Sequence, residues 1–199
     1  MNGPCFPTAE SGECRCTALF DQPRKGHVHA GLDVLGPRGV PWRAIWRGEV
    51  WHQVTYKPDK DYDNDGVPFP YSPWRNYRFE IYGALAILYV PERNETYVYA
   101  HGDPSLGWPI SQVFSQKKDQ DSFAVTYATR PVRVEAGEVI GEIGWAGQCL
   151  WGPVGSVVSD DPRASHLHIE GHKGRNYTRH DRRIRIEDLF PGKCDGRTI

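Results

Sequence analysis

The chain has 199 residues, of which 39% are hydrophobic and 25% are charged, a balance typical of an ordinary soluble globular domain with a buried core. Its 24 basic and 25 acidic residues give a formal charge of −1, so composition favours neither nucleic acid nor an anionic membrane surface as a partner. No stretch approaches the roughly 20 apolar residues of a membrane-spanning helix, which excludes membrane insertion.

Short strand-like runs follow a loop-rich N-terminal arm, residues 1–16, and belong to a domain over residues 17–199. Turns rich in the chain's 21 glycines and 16 prolines separate them, which indicates antiparallel β-sheets rather than alternating strands and helices. A short helical turn is predicted from Ile184 to Phe190. The predicted strands are Leu32–Val34, Gly48–Thr55, Arg78–Val90, Thr96–Ala100, Val132–Val134, Val139–Ile143 and His166–Glu170.

Histidines recur at three places along these runs: in the segment HAGLD that begins at His29, at the end of YAH at His101, and in HLHIE. Residues i and i+2 of an extended strand face the same side, so His166 and His168 point together. Zinc binds imidazole nitrogen and carboxylate oxygen, and a catalytic zinc keeps three protein ligands and an open position. The three segments therefore supply enough ligands for such a site and leave two histidines for proton transfer.

The order and context of these motifs resemble those of the lysostaphin-type (LytM) zinc endopeptidases, which cut peptidoglycan cross-bridges. PRGVP at Pro37–Pro41 and GEV at Gly48–Val50 resemble two stretches that follow the first motif in that family. GEVIGEIG at Gly137–Gly144 resembles the glycine-rich run that precedes its last motif. The resemblance covers roughly residues 17 to 190, and it implies a single LytM-like all-β domain with an open groove and long inserted loops.

The resemblance also implies one zinc ion per chain, bound by His29, Asp33 and His168. His101 and His166 then flank the attacking water, one as general base and the other stabilising the oxyanion. The sequence leaves open which of the two takes which role.

Other polar residues near these motifs have less defined roles. Glu170 shares the strand face of His168, where it either hydrogen-bonds a ligand imidazole as a second-shell residue or is a solvated carboxylate. His27 faces the same side as His29 at a spacing that does not fit the family pattern, and is predicted at the rim. The remaining histidines match no motif and are predicted at the surface or in the substrate groove: His52, His172 and His180.

An insertion near residues 58–76 separates the chain from a minimal member of the family. It contains Asp61, Asp63 and Asp65, which match the beginning of a calcium-binding loop. Ser72 stands where that loop requires a bidentate glutamate, and nearby prolines forbid the helix that usually follows. A solvated acidic turn is therefore favoured over a Ca²⁺ site.

A second insertion lies near residues 103–129. Its aromatic residues are predicted to wall a substrate groove rather than merely pin the loop to the core, because loops around a rigid sheet commonly determine specificity. The segment from Gln148 to Ser165 is predicted to be a further loop at the cleft. The aromatic residues concerned are Trp108, Phe114, Phe123 and Tyr127.

Five cysteines leave three alternatives open. One or two disulfides could tie the two ends of the chain together and leave an odd thiol. Four of the cysteines could instead hold a structural zinc, or all five could be free thiols in a reducing compartment. The four candidate zinc ligands are Cys5, Cys14, Cys16 and Cys194.

These patterns predict a zinc-dependent endopeptidase that hydrolyses peptide cross-links of bacterial peptidoglycan outside the cytoplasm. The first 26 residues lack the apolar core of a secretory signal, so either a signal was removed before this numbering begins or delivery follows another route. Delivery by a phage, as a lysis enzyme or beside other virion proteins, is the favoured hypothesis. One alternative is a virion structural or wall-binding component, such as a tail-tip protein, with incidental or absent catalysis. Another is a thiol peptidase that uses Cys149.

Overall fold

Antiparallel β-strands make up almost all of the regular structure. The computed structural model describes residues 4, 6–8, 14–24, 27–58, 77–102, 110, 112–118, 124–144, 165–175, 177 and 182–194. A short 3-10 turn at Glu187–Leu189 follows the last strand. The strands are β1 (Arg15–Ala18), β2 (Pro23–Arg24), β3 (His27–Val28), β4 (Leu32–Leu35), β5 (Pro41–Arg43), β6 (Gly48–Pro58), β7 (Tyr77–Val90), β8 (Glu95–Ala100), β9 (Phe114–Lys118), β10 (Ala124–Ala128), β11 (Val132–Val134), β12 (Val139–Glu142), β13 (His166–Lys173) and β14 (Arg183–Ile184).

Ten of these strands form one sheet, and β13 lies inside it between β4 and β8. The order along the sheet is β1-β4-β13-β8-β7-β6-β10-β9, while β11 also pairs with β6 and β14 with β13. The register of β13 places His168 opposite Asp33 on β4 and opposite Ala100 on β8. Long-range pairing therefore gathers the three sequence motifs at one place in the sheet.

The strands of the sheet are rich in β-branched and aromatic residues, and these side chains form the hydrophobic core against the sheet. All six residues of β8 are buried. Leu167 and Ile169, which alternate with the histidines of β13, are fully buried in the same core cluster as Trp42 of β5. Burying one aliphatic side chain of this size stabilises the fold by roughly 1.5–3 kcal/mol, so the apolar face of β13 anchors it firmly.

The predicted antiparallel all-β fold is confirmed, and so are the seven predicted strands and the short helical turn before Pro191. Within the predicted insertion over residues 103–129, β9 and β10 extend the sheet beyond β6. Trp108 and Phe123 lie outside the described residues, so the groove wall stays a prediction. No helix among the described residues is long and apolar enough to cross a membrane.

A disulfide between Cys16 and Cys194 joins β1 to the segment after the 3-10 turn. This pairing agrees with a disulfide that ties the two ends together. Because a disulfide sulfur cannot act as a thiolate ligand, the structural zinc on four cysteines is excluded, as is a fully reduced chain. Cys14 is buried, whereas Cys5 and Cys149 lie outside the described residues.

Two histidines occupy the interior, where the sequence predicted surface or groove positions. His52 on β6 is fully buried, with Nε2 2.6 Å from the carbonyl oxygen of Ile140 and Nδ1 2.7 Å from Oε1 of Gln112. His172 on β13 is 1% exposed. The prediction was wrong for both because each ring finds a buried hydrogen-bond partner, which repays the loss of hydration. His180 lies outside the described residues.

The HAGLD segment approaches β13 too closely for any side chain at its centre. A Cβ at Gly31 would lie 2.2 Å from the carbonyl oxygen of Ile169. We expect Gly31→Ala to push the segment away from β13 and to lower the free energy of unfolding by about 3 kcal/mol or more.

The control for this prediction is Gly39→Ala, because Gly39 has a φ of 86° but open space around its Cβ position. In that variant only backbone strain should lower the free energy of unfolding, by about 1 kcal/mol. Urea unfolding of the two variants measures the difference, and equal losses would contradict the close approach at Gly31.

A buried carboxylate lies at the end of the β8–β13 pair that is farther from His168. Glu95 is 2% exposed and accepts hydrogen bonds from Arg93 Nε at 2.6 Å, from the Tyr97 hydroxyl at 2.5 Å and from the ammonium of Lys173, its partner across the strands. Burial raises the pKa of Glu95, but the three donors outweigh burial and hold the pKa below its ordinary value. Ionised Glu95 therefore stabilises the fold above its ordinary pKa, and this contribution is lost as the pH falls through the lower folded-state pKa.

We expect Glu95→Gln to lower the free energy of unfolding by about 2 kcal/mol at neutral pH, since Arg93, Lys173 and the buried Tyr97 hydroxyl lose their charged acceptor. The difference in unfolding free energy between variant and wild type should narrow below about pH 4.5, where the wild-type carboxyl begins to gain a proton in the unfolded state. Urea unfolding at about pH 7 and about pH 3.5 tests this. If the difference in unfolding free energy is the same at both pH values, ionisation of Glu95 does not contribute to stability.

Candidate metal centre

Strand pairing builds a buried cluster from three distant parts of the chain. Asp33 on β4 and His168 on β13 are direct neighbours across the sheet. His29 lies just before β4, in the segment whose glycine permits close approach to β13. The three side chains belong to residues that are only 4–7% exposed.

One atom from each of these residues forms a compact triangle. Nε2 of His29 lies 3.0 Å from Oδ1 of Asp33 and 3.2 Å from Nδ1 of His168. Nδ1 of His168 lies 2.7 Å from Oδ1 of Asp33. Ligands about 2.0–2.2 Å from a tetrahedral zinc ion stand roughly 3.3 Å from one another. The donor triangle, defined by these three atoms, therefore fits the chemistry and the spacing that zinc requires.

The second nitrogen of each imidazole in the triangle is already engaged. Nδ1 of His29 donates to the carbonyl oxygen of Leu19 at 2.9 Å. Nε2 of His168 donates to Oε1 of Glu170 at 3.1 Å, and Glu170 is 4% exposed, so it is not a solvated carboxylate. Outer hydrogen bonds of this kind orient metal-binding histidines, because they leave the opposite nitrogen facing the metal.

The charges within the cluster compensate one another. Burial raises the pKa of Asp33, but hydrogen bonds from His168 and His29 and the nearby charges of His168 and His166 hold it far below its usual range. Burial lowers the pKa of His168, but Asp33 and Glu170 outweigh burial and raise it to about 9. Asp33 and His168 thus stabilise each other's charged forms.

Two further histidines lie beside the donor triangle. His101 follows β8 with a φ of 67°, a left-handed conformation that histidine adopts more readily than most residues. Its ring centroid lies 4.7 Å from that of His166 and 6.0 Å from that of His168. Nε2 of His166 is 3.9 Å from Oδ1 of Asp33, and its side chain is 14% exposed. This histidine pair thus borders the triangle, with His166 partly open to solvent.

Some residues at the site carried no usable signal in the sequence. Arg24 on β2 places Nη2 2.7 Å from Oδ2 of Asp33, which leaves Oδ1 for the donor triangle. Nothing marked a two-residue strand as part of the site, and Leu19 contributes only a backbone carbonyl. His172, by contrast, continues the alternation of His166 and His168 along β13, and that alternation could have indicated its place.

Several predicted features lie outside the described residues. They include the calcium-loop residues Asp61, Asp63 and Asp65, and most of the segment from Gln148 to Ser165. The backbone of His27 lies in β3.

No protein-family model and no curated protein matches the chain. Among solved structures, LytU matches with a TM-score of 0.51 and 18% identity over 92% of this chain and 88% of LytU. A variant catalytic domain of EnpA, a prophage-encoded M23 protein from Enterococcus faecalis, gives 0.47 and 18% over 96% of this chain and 98% of that domain. The catalytic domain of the antimicrobial peptidase lysostaphin from Staphylococcus simulans gives 0.46 and 17% over 88% and 91%.

The chain also matches Csd3 of Helicobacter pylori, with a TM-score of 0.46 and 15% identity over 94% of this chain, but it spans only 33% of the Csd3 chain. At such identities a structural likeness speaks for the fold alone. Together with the antiparallel sheet described above, the match to LytU shows that the chain has a LytM-like fold.

Proposed function

We propose that the chain is a zinc-dependent endopeptidase that hydrolyses peptide cross-links of bacterial peptidoglycan. The observation that carries the proposal is the donor triangle of His29, Asp33 and His168 with a histidine pair at its side. Peptidoglycan as the substrate follows from the resemblance of the sequence motifs to the LytM endopeptidases.

The residues of the triangle would hold the metal through two imidazole nitrogens and one carboxylate oxygen. When bound, zinc supplies a Lewis acid for the scissile carbonyl and lowers the pKa of water toward about 7. The outer hydrogen bonds from His29 to Leu19 and from His168 to Glu170 fix the orientation of the two imidazoles. Arg24 fixes the carboxylate of Asp33 from the other side.

The histidine pair supplies the proton chemistry. An imidazole titrates near neutral pH, so it can accept a proton from the attacking water and return it to the leaving amine. The second imidazole can donate a hydrogen bond to the oxyanion that develops on the carbonyl. His101 and His166 share these two roles, and the geometry is compatible with either assignment.

The disulfide between Cys16 and Cys194 supports action outside the cytoplasm, because disulfides persist mainly in oxidising compartments. Such a location is where peptidoglycan is found.

We expect purified protein to bind about one zinc ion per chain, and we expect Asp33→Asn to lose that zinc because it removes the anionic ligand without changing the side chain's size. Metal analysis measures the zinc content of both proteins. Asp33→Asn should also lose hydrolysis, which is measured as release of new amino groups from purified sacculi with and without a chelator.

The matched control is His52→Gln, which changes a buried histidine of the same sheet that lies outside the cluster and keeps a side-chain donor. This variant should retain zinc and activity. Absence of zinc from the wild-type protein would refute the metal centre. Zinc binding without hydrolysis of sacculi would refute peptidoglycan as the substrate.

His101→Ala and His166→Ala should each retain zinc but lose about 100-fold or more in rate, since general acid–base catalysis typically contributes that much. Zinc content and rate on sacculi are measured for both variants. A near-wild-type rate in either variant would remove that histidine from the mechanism.

A further inference from the structure

One face of β13 carries an ionisable residue at every second position. The line begins at His166, passes through His168 and Glu170, and ends at His172. The last of these, His172, is the second histidine that the structure places unexpectedly in the interior, and the proposed reaction does not use it.

The two oxygens of Glu170 link the histidines on either side of it. Oε1 accepts from Nε2 of His168 at 3.1 Å, and Oε2 accepts from Nε2 of His172 at 2.9 Å. Nε of Arg183 on the neighbouring strand β14 lies 3.6 Å from Oε2, beyond hydrogen-bonding distance. His172 therefore supplies a short, direct hydrogen bond to the oxygen of Glu170 that faces away from the metal centre.

The proton on His172 has a defined place. A carboxylate oxygen accepts hydrogen bonds, so Nε2 carries the proton. Nδ1 of His172 is buried and has no hydrogen-bond partner in the described part of the chain. The hydrogen bond from Nε2 to Glu170 is therefore the polar contact of this imidazole in the described part of the chain.

We propose that His172 is a positioning residue for the metal centre. It holds the Glu170 carboxylate in the orientation that keeps Nδ1 of His168 in its place within the donor triangle. The inference rests on the proposed function, because it presumes that the triangle binds zinc. With both oxygens bonded, the Glu170 carboxylate cannot rotate without breaking a buried hydrogen bond. Without His172, Oε2 loses its short hydrogen bond, so the carboxylate and the ring of His168 are held less firmly.

The effect is expected on zinc affinity rather than on catalysis alone. Loss of an outer hydrogen bond to a metal-binding histidine typically weakens metal binding 10–100-fold. His172 acts one step further out, through Glu170, so we expect about a tenfold weaker zinc affinity when its donor is removed.

The test compares His172→Gln with His172→Met in the full-length chain. The amide nitrogen of glutamine can donate where Nε2 of the imidazole does, whereas methionine has nearly the same size and shape but no donor. The zinc dissociation constant is measured by competition with a chromophoric chelator, and the absorption spectrum of the cobalt-substituted protein reports the ligand geometry. His172→Met should bind zinc about tenfold more weakly and shift the cobalt spectrum, and His172→Gln should recover most of both.

His52→Met is the matched control, because it also removes a buried imidazole that hydrogen-bonds within the sheet. It should lower the free energy of unfolding but leave zinc affinity unchanged. Equal zinc affinity in wild type and His172→Met, or an equal loss in His172→Met and His52→Met, would overturn the positioning role while leaving the metal centre intact. Absence of zinc binding in wild type would instead refute the proposed function.

If His172→Met does not fold, His172→Asn takes its place. The amide of asparagine corresponds to Nδ1 of the imidazole, which does not face Glu170. Weaker zinc binding in His172→Asn than in His172→Gln supports the inference, and equal binding in the two overturns it.

Discussion

The pairing of β13 between β4 and β8 is the constraint on which the rest of the structure depends. Its register places His168 opposite both Asp33 and Ala100. A slip of one residue would turn the histidines into the core and bring Leu167 and Ile169 to the donor triangle. Because burial of these two side chains forbids that slip, hydrophobic packing also fixes the position of the donor triangle.

The buried charged groups of the cluster compensate one another. Nδ1 of His168 lies within hydrogen-bonding distance of Oδ1 of Asp33, Arg24 binds the second oxygen of Asp33, and Glu170 accepts from His168. Buried charges destabilise a fold when they lack partners, and here each charged group has one. At the other end of β13, the bond between Lys173 and Glu95 holds β13 to β8 independently.

Sequence reasoning was strongest where period and chemistry agreed. The alternation in HLHIE predicted both a strand and a shared polar face, and the structure has both. It failed where a partner came from a distant segment without a pattern. The burial of His52 depends on Gln112 and on the carbonyl of Ile140, and the orientation of His29 depends on the carbonyl of Leu19. Single-residue patterns contain no information about such contacts.

The distance along the chain between β4 and β13 also bears on synthesis. Asp33 and His168 are 135 residues apart, and β13 is among the last strands in the described chain. A ribosome-bound chain that has not yet reached residue 166 has two of the three residues of the donor triangle and only one member of the histidine pair. Domains fold as their segments emerge, N-terminal parts first. Neither the donor triangle nor the histidine pair can therefore be complete before β13 has been synthesised.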